Sequence, residues 1–402
     1  MTQLHWVPAV GLFLCFSSGC TTRTDDEPLF GGSAGGGAGG MSSGGAPAAG
    51  STSGGTGGSV TTAGSGGDAG TAAGGTLGAA GTSGTAGTGG NPNECVPVPL
   101  SGASTAKIRT VGYLPTYRGA LATLVNQLDF AKLSYVNISF ADVDTSGTLS
   151  LTDMGVCQFT NGAHAAGVKV CVAIGGASTI DSNEGMGKYT PLMDPANRTA
   201  FIDKISGFLT ANNLDCIDLD FESQNLGTDY AGFVSSLSTT LAAQGKEVTT
   251  AVGRWFGNAQ LTAALPSFAF VNVMAYDMCE FWGSTPCDGA EIGEVQNEEM
   301  AYWIGQGLPA DKAVLGVPFY GYKWQGGTGQ ALTYAEIVAT YGAAAETDWI
   351  ESNGATVVHH SMNTNKAKAA LAKSSYGGIM IWELGQDAPA PNSLLQAIDG
   401  AL

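Results

Sequence analysis

Asp215-Cys216-Ile217-Asp218-Leu219-Asp220-Phe221-Glu222 alternates apolar and acidic side chains along its second half. In a β-strand, alternate residues share a face and lie about 6.5–7 Å apart along it. Asp218, Asp220 and Glu222 therefore project to one side with Cys216 below them, while Ile217, Leu219 and Phe221 project to the other. The apolar back makes this a central strand covered by helices. Three carboxylates on its inner side are costly unless they share protons or serve chemistry. Two charges about 7 Å apart at an effective dielectric near ~20 repel by about 2.4 kcal/mol, or about 1.7 pK units. The row is expected to titrate as a coupled set, with Glu222 at its open end kept protonated as a general acid.

Seven further short, β-branched or apolar runs surround this one in the sequence, at 108–113, 133–140, 168–174, 247–253, 268–275, 313–320 and 377–382. Most are separated by segments of helical periodicity. Phe201, Ile202, Ile205, Phe208 and Leu209 fall on one helical face, as do Tyr230, Phe233, Val234, Leu237 and Leu241. Apolar strands alternating with amphipathic helices indicate an α/β fold with a parallel sheet. Eight such units in one stretch of chain predict a (β/α)8 TIM barrel rather than an open sheet. The stretch 324–376 exceeds what one crossover needs and predicts a small insertion between strands 7 and 8. Catalytic groups of a barrel sit at the C-terminal ends of its strands. Glu222, Tyr276-Asp277 and Trp382 all fall there.

The 402 residues divide into three compositions. Residues 1–24 carry an apolar run at 7–16, about the length of a signal-peptide core and too short to span a bilayer. Ser17-Ser18-Gly19-Cys20 resembles a bacterial lipobox, which would make Cys20 a lipidation site; an ordinary cleaved signal peptide is the alternative. Residues 25–94 form a linker in which 26 of the 60 positions from 31 to 90 are glycine and Asp68 is the only charge there. Such a segment cannot offset its ordering entropy and is expected to be a disordered tether, spanning roughly 40–50 Å. Residues 95–402 are the length of one barrel domain. The formal net charge of −18 argues against nucleic acid or anionic membrane as a partner. Membrane contact is expected only through a lipid anchor, and the chain is expected to be a monomer.

Export permits disulfides among Cys95, Cys157, Cys171, Cys216, Cys279 and Cys287. Cys279 and Cys287 flank a short loop and are the expected pair; the other four have several possible pairings or stay as buried thiols. No zinc spacing is present, and His359-His360 reads as a loop pair rather than metal ligands. No metal or cofactor is expected.

Asp215-x-x-Asp218-x-Asp220-x-Glu222 resembles the DxxDxDxE signature of glycoside hydrolase family 18, the chitinase and endo-β-N-acetylglucosaminidase family. The resemblance runs over about 108–402. Val111-Gly112-Tyr113 is similar to the family's first strand, and Ala173-Ile174-Gly175-Gly176 to its SxGG motif. Met274-Ala275-Tyr276-Asp277 is similar to MxYD, and Gly378-Ile379-Met380-Ile381-Trp382-Glu383 to the eighth strand. Two positions depart from the pattern: Ala173 stands in place of Ser, and Cys216 in place of the usual Gly.

The resemblance implies a retaining hydrolase in which the substrate's own 2-acetamido group is the nucleophile, an exception to the two-carboxylate rule. Glu222 would be acid and then base, Asp220 would orient the acetamido N–H, and Asp218 would share a proton with Asp220. The Tyr276 hydroxyl would hold the acetamido carbonyl, with Asp277 assisting and Trp382 as the floor under the −1 sugar. Met274, Tyr113, Gly175 and Gly176 complete the substrate-binding set it implies; from the residues alone, the two glycines read as permitting close backbone approach. Trp255, Phe256, Phe281, Trp282 and Trp324 follow strands and are candidates for stacking on sugars. The implied activity is hydrolysis of β-1,4-linked N-acetylglucosamine polymers, chitin or chitooligosaccharides, by an exported enzyme. An endo-β-N-acetylglucosaminidase on N-glycan cores and a non-catalytic chitinase-like lectin are the alternatives.

Overall fold

The computed structural model describes residues 96–402, apart from Met154, Asp181 and Ser182. The leader with Cys20, the whole glycine-rich linker and Cys95 lie outside the described residues.

Fourteen strands are present among them. In chain order they are β1 (Arg109–Pro115), β2 (Tyr135–Ser139), β3 (Asp142–Val143), β4 (Leu149–Ser150), β5 (Lys169–Gly176), β6 (Cys216–Phe221) and β7 (Glu247–Val252). They continue as β8 (Val271–Val273), β9 (Ala313–Pro318), β10 (Tyr320–Trp324), β11 (Gln330–Thr333), β12 (Trp349–Ser352), β13 (Ala355–His359) and β14 (Gly378–Trp382). Eight of these close a parallel barrel in the order β1-β14-β9-β8-β7-β6-β5-β2, the (β/α)8 architecture expected from the eight runs.

The period-2 reading of the central strand holds in three dimensions. Ile217, Leu219 and Phe221 are buried in the large cluster under the helices, with Phe233, Val234 and Leu237 of the helix Tyr230–Ala242. A smaller cluster fills the barrel lumen and includes Val111, Tyr113, Ala173, Val314 and Met380. Strand β5 sets the space beside the carboxylates. Its partners to Cys216, Asp218 and Asp220 are Cys171, Ala173 and Gly175, so side-chain bulk falls toward the mouth.

The insertion begins earlier than 324. The seventh run splits at Pro318, where β9 ends, and Phe319 N–H donates to Trp382 O at 2.8 Å. From Tyr320 the chain reverses into an antiparallel sheet of order β11-β10-β13-β12. The helix Met362–Ser375 is the barrel's own crossover, so the insertion occupies only the first part of the predicted stretch.

Candidate active site

The pairings left open for four cysteines resolve in part. Cys171 and Cys216, fully buried and register partners, form a disulfide across β5 and β6 beneath the carboxylate row. Cys279 and Cys287 form the other described bridge.

Asp218 is fully buried and its two oxygens receive three donors. Tyr113 Oη donates to Oδ2 at 2.6 Å, Thr249 Oγ1 to Oδ1 at 2.5 Å and Asn272 Nδ2 to Oδ1 at 3.3 Å. Burial pushes its carboxyl up to about 6, and the three donors oppose that by favouring the anion. Asp220 sits one step higher, 3% exposed, with Oδ1 unpartnered. Burial raises its proton affinity well above the ordinary range, followed by the charges of Glu222 and Asp218. The row therefore holds its lower charge on Asp218 and a proton on Asp220.

Glu222 lies half-buried at the mouth, just past the end of β6. Burial and then the charge of Asp277 raise its carboxyl to about 7. Desolvation outweighs charge repulsion for each of these acids, which refines the Coulombic estimate drawn from strand spacing. The backbone of Glu222 is fixed from below: its N–H donates to Thr179 Oγ1 at 2.8 Å, and Thr179 Oγ1 donates to Gly176 O at 2.7 Å.

Gly175 and Gly176 serve close packing. A Cβ on Gly175, at φ +106°, would stand 2.2 Å from Asp220 O, and one on Gly176 would stand 2.6 Å from the Phe140 ring. Gly175→Ala should therefore destabilise the protein by at least about 1–3 kcal/mol through positive φ and the clash, read as a lower urea midpoint. A midpoint within error of wild type would refute the packing assignment.

Asp277, at φ +56°, accepts from Tyr320 Oη at 2.6 Å and from Tyr322 Oη at 3.0 Å. Burial raises it to about 6 against those two donors. Tyr276 meets Tyr320 edge-on at 6.3 Å, and Met274, Tyr276 and Trp382 border the lumen cluster together. Trp382 is half-buried on Tyr113 and Phe140, with ring centroids 5.4 and 6.0 Å away. The next residue, Glu383, is fully buried and paired with Arg118 at 2.6 Å, which fixes the loop behind the Trp.

Three expectations change on this geometry. Tyr113 lies under the row, 1% exposed, as a donor to Asp218 rather than as a surface of the mouth. Trp324 is 3% exposed with its indole N–H on Gly283 O at 3.0 Å, and Phe281 stacks on Tyr322 at 4.5 Å, so both support the insertion. Trp255 stays 57% exposed beside Arg254, the best placed of the stacking candidates. His359-His360 is not a loop pair: His359 ends β13, and both rings are buried. Asp215, the first acid of the motif, accepts from Val170 N–H at 2.7 Å and pairs with His164 Nε2 at 2.8 Å, so it anchors the strand's base.

Sequence reasoning missed Thr179, Thr249, Asn272, Tyr320 and Tyr322. Thr249 and Asn272 carried a signal, as polar residues at inward positions of apolar strands. Tyr320-Gly321-Tyr322 carried the same period-2 signal on one strand face.

A closed parallel barrel with acids rising through one strand to its mouth puts acid–base groups where barrel enzymes carry their chemistry. The sequence profile of glycosyl hydrolases family 18 matches residues 109–387, and the chain belongs to that family. A chitinase-like effector of Moniliophthora roreri is 30% identical over 55% of this chain and 59% of its own length. The class V chitinase of Arabidopsis thaliana is 24% identical over 59% of this chain and 71% of its own. The chain thus spans little more than half the length of the effector. Among solved structures, the chitinase ChiB of Flavobacterium johnsoniae superposes with TM-score 0.65 at 30% identity, over 74% of this chain and 94% of its own. Human YKL-39, described as a pseudo-chitinase that retains chitooligosaccharide binding, shares the fold at TM-score 0.61 and 19% identity, over 73% of this chain and 99% of its own.

Proposed function

We propose that the chain hydrolyses β-1,4-linked N-acetylglucosamine polymers, chitin or chitooligosaccharides, by a retaining, substrate-assisted route with Glu222 as acid and base. The supporting observation is the order of the row. Asp218 is saturated with donors, Asp220 has an orphaned buried oxygen, and Glu222 above them keeps a proton up to about pH 7.

Glu222 gives its proton to the glycosidic oxygen as the C1–O bond breaks, and the acetamido carbonyl oxygen bonds to C1. The acetamido N–H is the donor that Asp220 Oδ1 lacks, and leaving that acceptor dry is costly. Positive charge on the oxazolinium draws the proton of Asp220 toward Asp218, whose donors then matter less. Tyr276 steadies the acetamido carbonyl and Trp382 supports the sugar ring. Water then attacks C1 as the bond from C1 to the acetamido oxygen breaks, and loses its proton to the Glu222 carboxylate, which restores the acid and the acetamido group. The same stepwise logic demands an N-acetyl group at the cleaved sugar.

Labelled chitooligosaccharides, a high-mannose glycopeptide and cello-oligosaccharides offered to the wild type test this reading. Cleavage of the first supports it. Cleavage of the glycopeptide alone assigns an endoglycosidase, and binding without cleavage assigns a lectin. Hydrolysis of the cello-oligosaccharides would sink substrate assistance.

The pH profile follows from the same groups. Asp218 must be anionic and Glu222 protonated, so kcat/KM should be bell-shaped, rising near about 6 and falling near about 7. Activity that kept climbing to pH 9 would contradict these roles. A relative named as a secreted chitinase, from Penicillium expansum, supports export of this chain. On this reading residues 1–24 are the export leader, with Cys20 lipidated or removed, and 25–94 tether the barrel 95–402.

A further inference from the structure

Asp277 opens a short loop that returns against its own backbone. Met278 N–H donates to Gly289 O at 2.7 Å, and the Cys279–Cys287 disulfide closes the turn between them. Gly289 is pressed on the start of the loop: a Cβ there would stand 2.9 Å from Met278 N and 3.2 Å from Asp277 Cα. Asp277 itself is at φ +56°, in the left-handed region that Asp enters more readily than most non-glycine residues.

The residues on either side of Gly289 are gripped from outside the loop. Lys368, fully buried in the helix Met362–Ser375, donates through Nζ to Ala290 O at 2.6 Å and to His360 Nδ1 at 2.7 Å. Burial pulls the Lys368 ammonium down to about 7; in its charged form it has no lone pair, so Nδ1 then accepts and the imidazole proton resides on Nε2. That N–H donates to Asp288 Oδ1 at 2.9 Å. Lys368 thus reaches Asp288 through the His360 imidazole, and the chain of bonds ends on Asp288 and Ala290, which flank Gly289.

Lys368 shares its helix face with buried Asn365, Ala369 and Ala372, a position where an apolar residue would pack at no desolvation cost. The groups facing it are Asp288, Asp348 and His360, with His359 beside His360. Those around Asp277 are Tyr320, Tyr322, Tyr276 and Glu222. None of the Lys368 set is used by the hydrolytic steps.

We propose that Lys368, His360 and Asp288 are positioning residues: they clamp the loop against the Asp277 backbone and so set how close the Asp277 carboxylate stands to Glu222. The proposal rests on the reading of Glu222 as the acid, but its test does not require turnover.

Side-chain 13C-carboxyl titration by NMR on the full chain reads the midpoint of Glu222, assigned by comparison with Glu222→Gln. Lys368→Met should lower that midpoint by about 1 unit, as the neighbouring charge moves away. Asp277→Asn should produce the full fall, and adding Lys368→Met to it should produce no more. An unmoved midpoint in folded Lys368→Met overturns the proposal, as does an equal fall in the Asp277→Asn background. If Lys368→Met does not fold, His360→Leu removes the grip on Asp288 alone; it should shift the midpoint the same way, and no shift there is equally fatal. Chitooligosaccharide turnover on the same samples separates the two readings. An inactive wild type whose Glu222 midpoint still responds to Lys368 removes the proposed function and leaves the clamp. An active wild type with an unmoved midpoint does the reverse.

Discussion

Glu222→Gln should lower kcat on chitooligosaccharides by about 10²–10⁴-fold, the range that a positioned proton donor contributes, while KM changes little. The amide keeps the volume and hydrogen-bonding shape of the acid but has no proton to give to a leaving oxygen. Its neighbours are untouched: Thr179 still holds the backbone N–H, and Asp218 keeps its three donors. On the proposed reading, ground-state binding by Trp382 and the rest of the mouth therefore survives. Steady-state kinetics with the bound fraction measured separately is the check. Equal rates for the two proteins would remove Glu222 from the acid role, and a rise in KM with unchanged kcat would make it a binding group only. On the proposed route Asp220→Asn should behave differently, because an amide at 220 would have no carboxyl proton to move toward Asp218 as the oxazolinium formed.

The acids were legible in the sequence because strand geometry is strictly periodic. A row of Asp218, Asp220 and Glu222 with apolar residues between them has one arrangement in a helix-covered sheet, and eight similar runs have one economical closure. The support around the row was less legible, since it comes from distant segments that only tertiary structure joins. Thr179 reaches Glu222 across 43 positions and Tyr320 reaches Asp277 across another 43. Asp218 illustrates the difference: its burial was readable, but its saturation by Tyr113, Thr249 and Asn272 was not, and that saturation decides where the charge resides. In the sequence Cys216 stood out only as a departure from the usual Gly below Asp218. Its register partner Cys171 makes it half of a cross-link that ties the two central strands below the site. The start of the insertion was misplaced because Tyr320 continues an apolar run whose strand has already ended at Pro318.

The same substitution at Glu222 should also stabilise the protein, and by an amount that grows with pH. The folded carboxyl is raised from 4.5 to about 7, so between those values the folded state binds more protons than the unfolded one. Stability from this group is then fully present below about pH 4 and is lost as pH rises through 7, the opposite of a salt-bridged carboxylate. The rise from 4.5 to about 7, at about 1.36 kcal/mol for each tenfold change in proton affinity, amounts to about 3 kcal/mol by pH 8. Gln at 222 never ionises and escapes that loss. Urea unfolding of wild type and Glu222→Gln should give curves that nearly coincide at pH 4 and separate by about 3 kcal/mol at pH 8, with several degrees between the melting temperatures. The slope against pH is the diagnostic, because any packing difference between Glu and Gln adds only a constant. A gap that stayed flat or narrowed with rising pH would mean that Glu222 is ionised in the resting protein at neutrality, and a group ionised there has no proton to give as the acid.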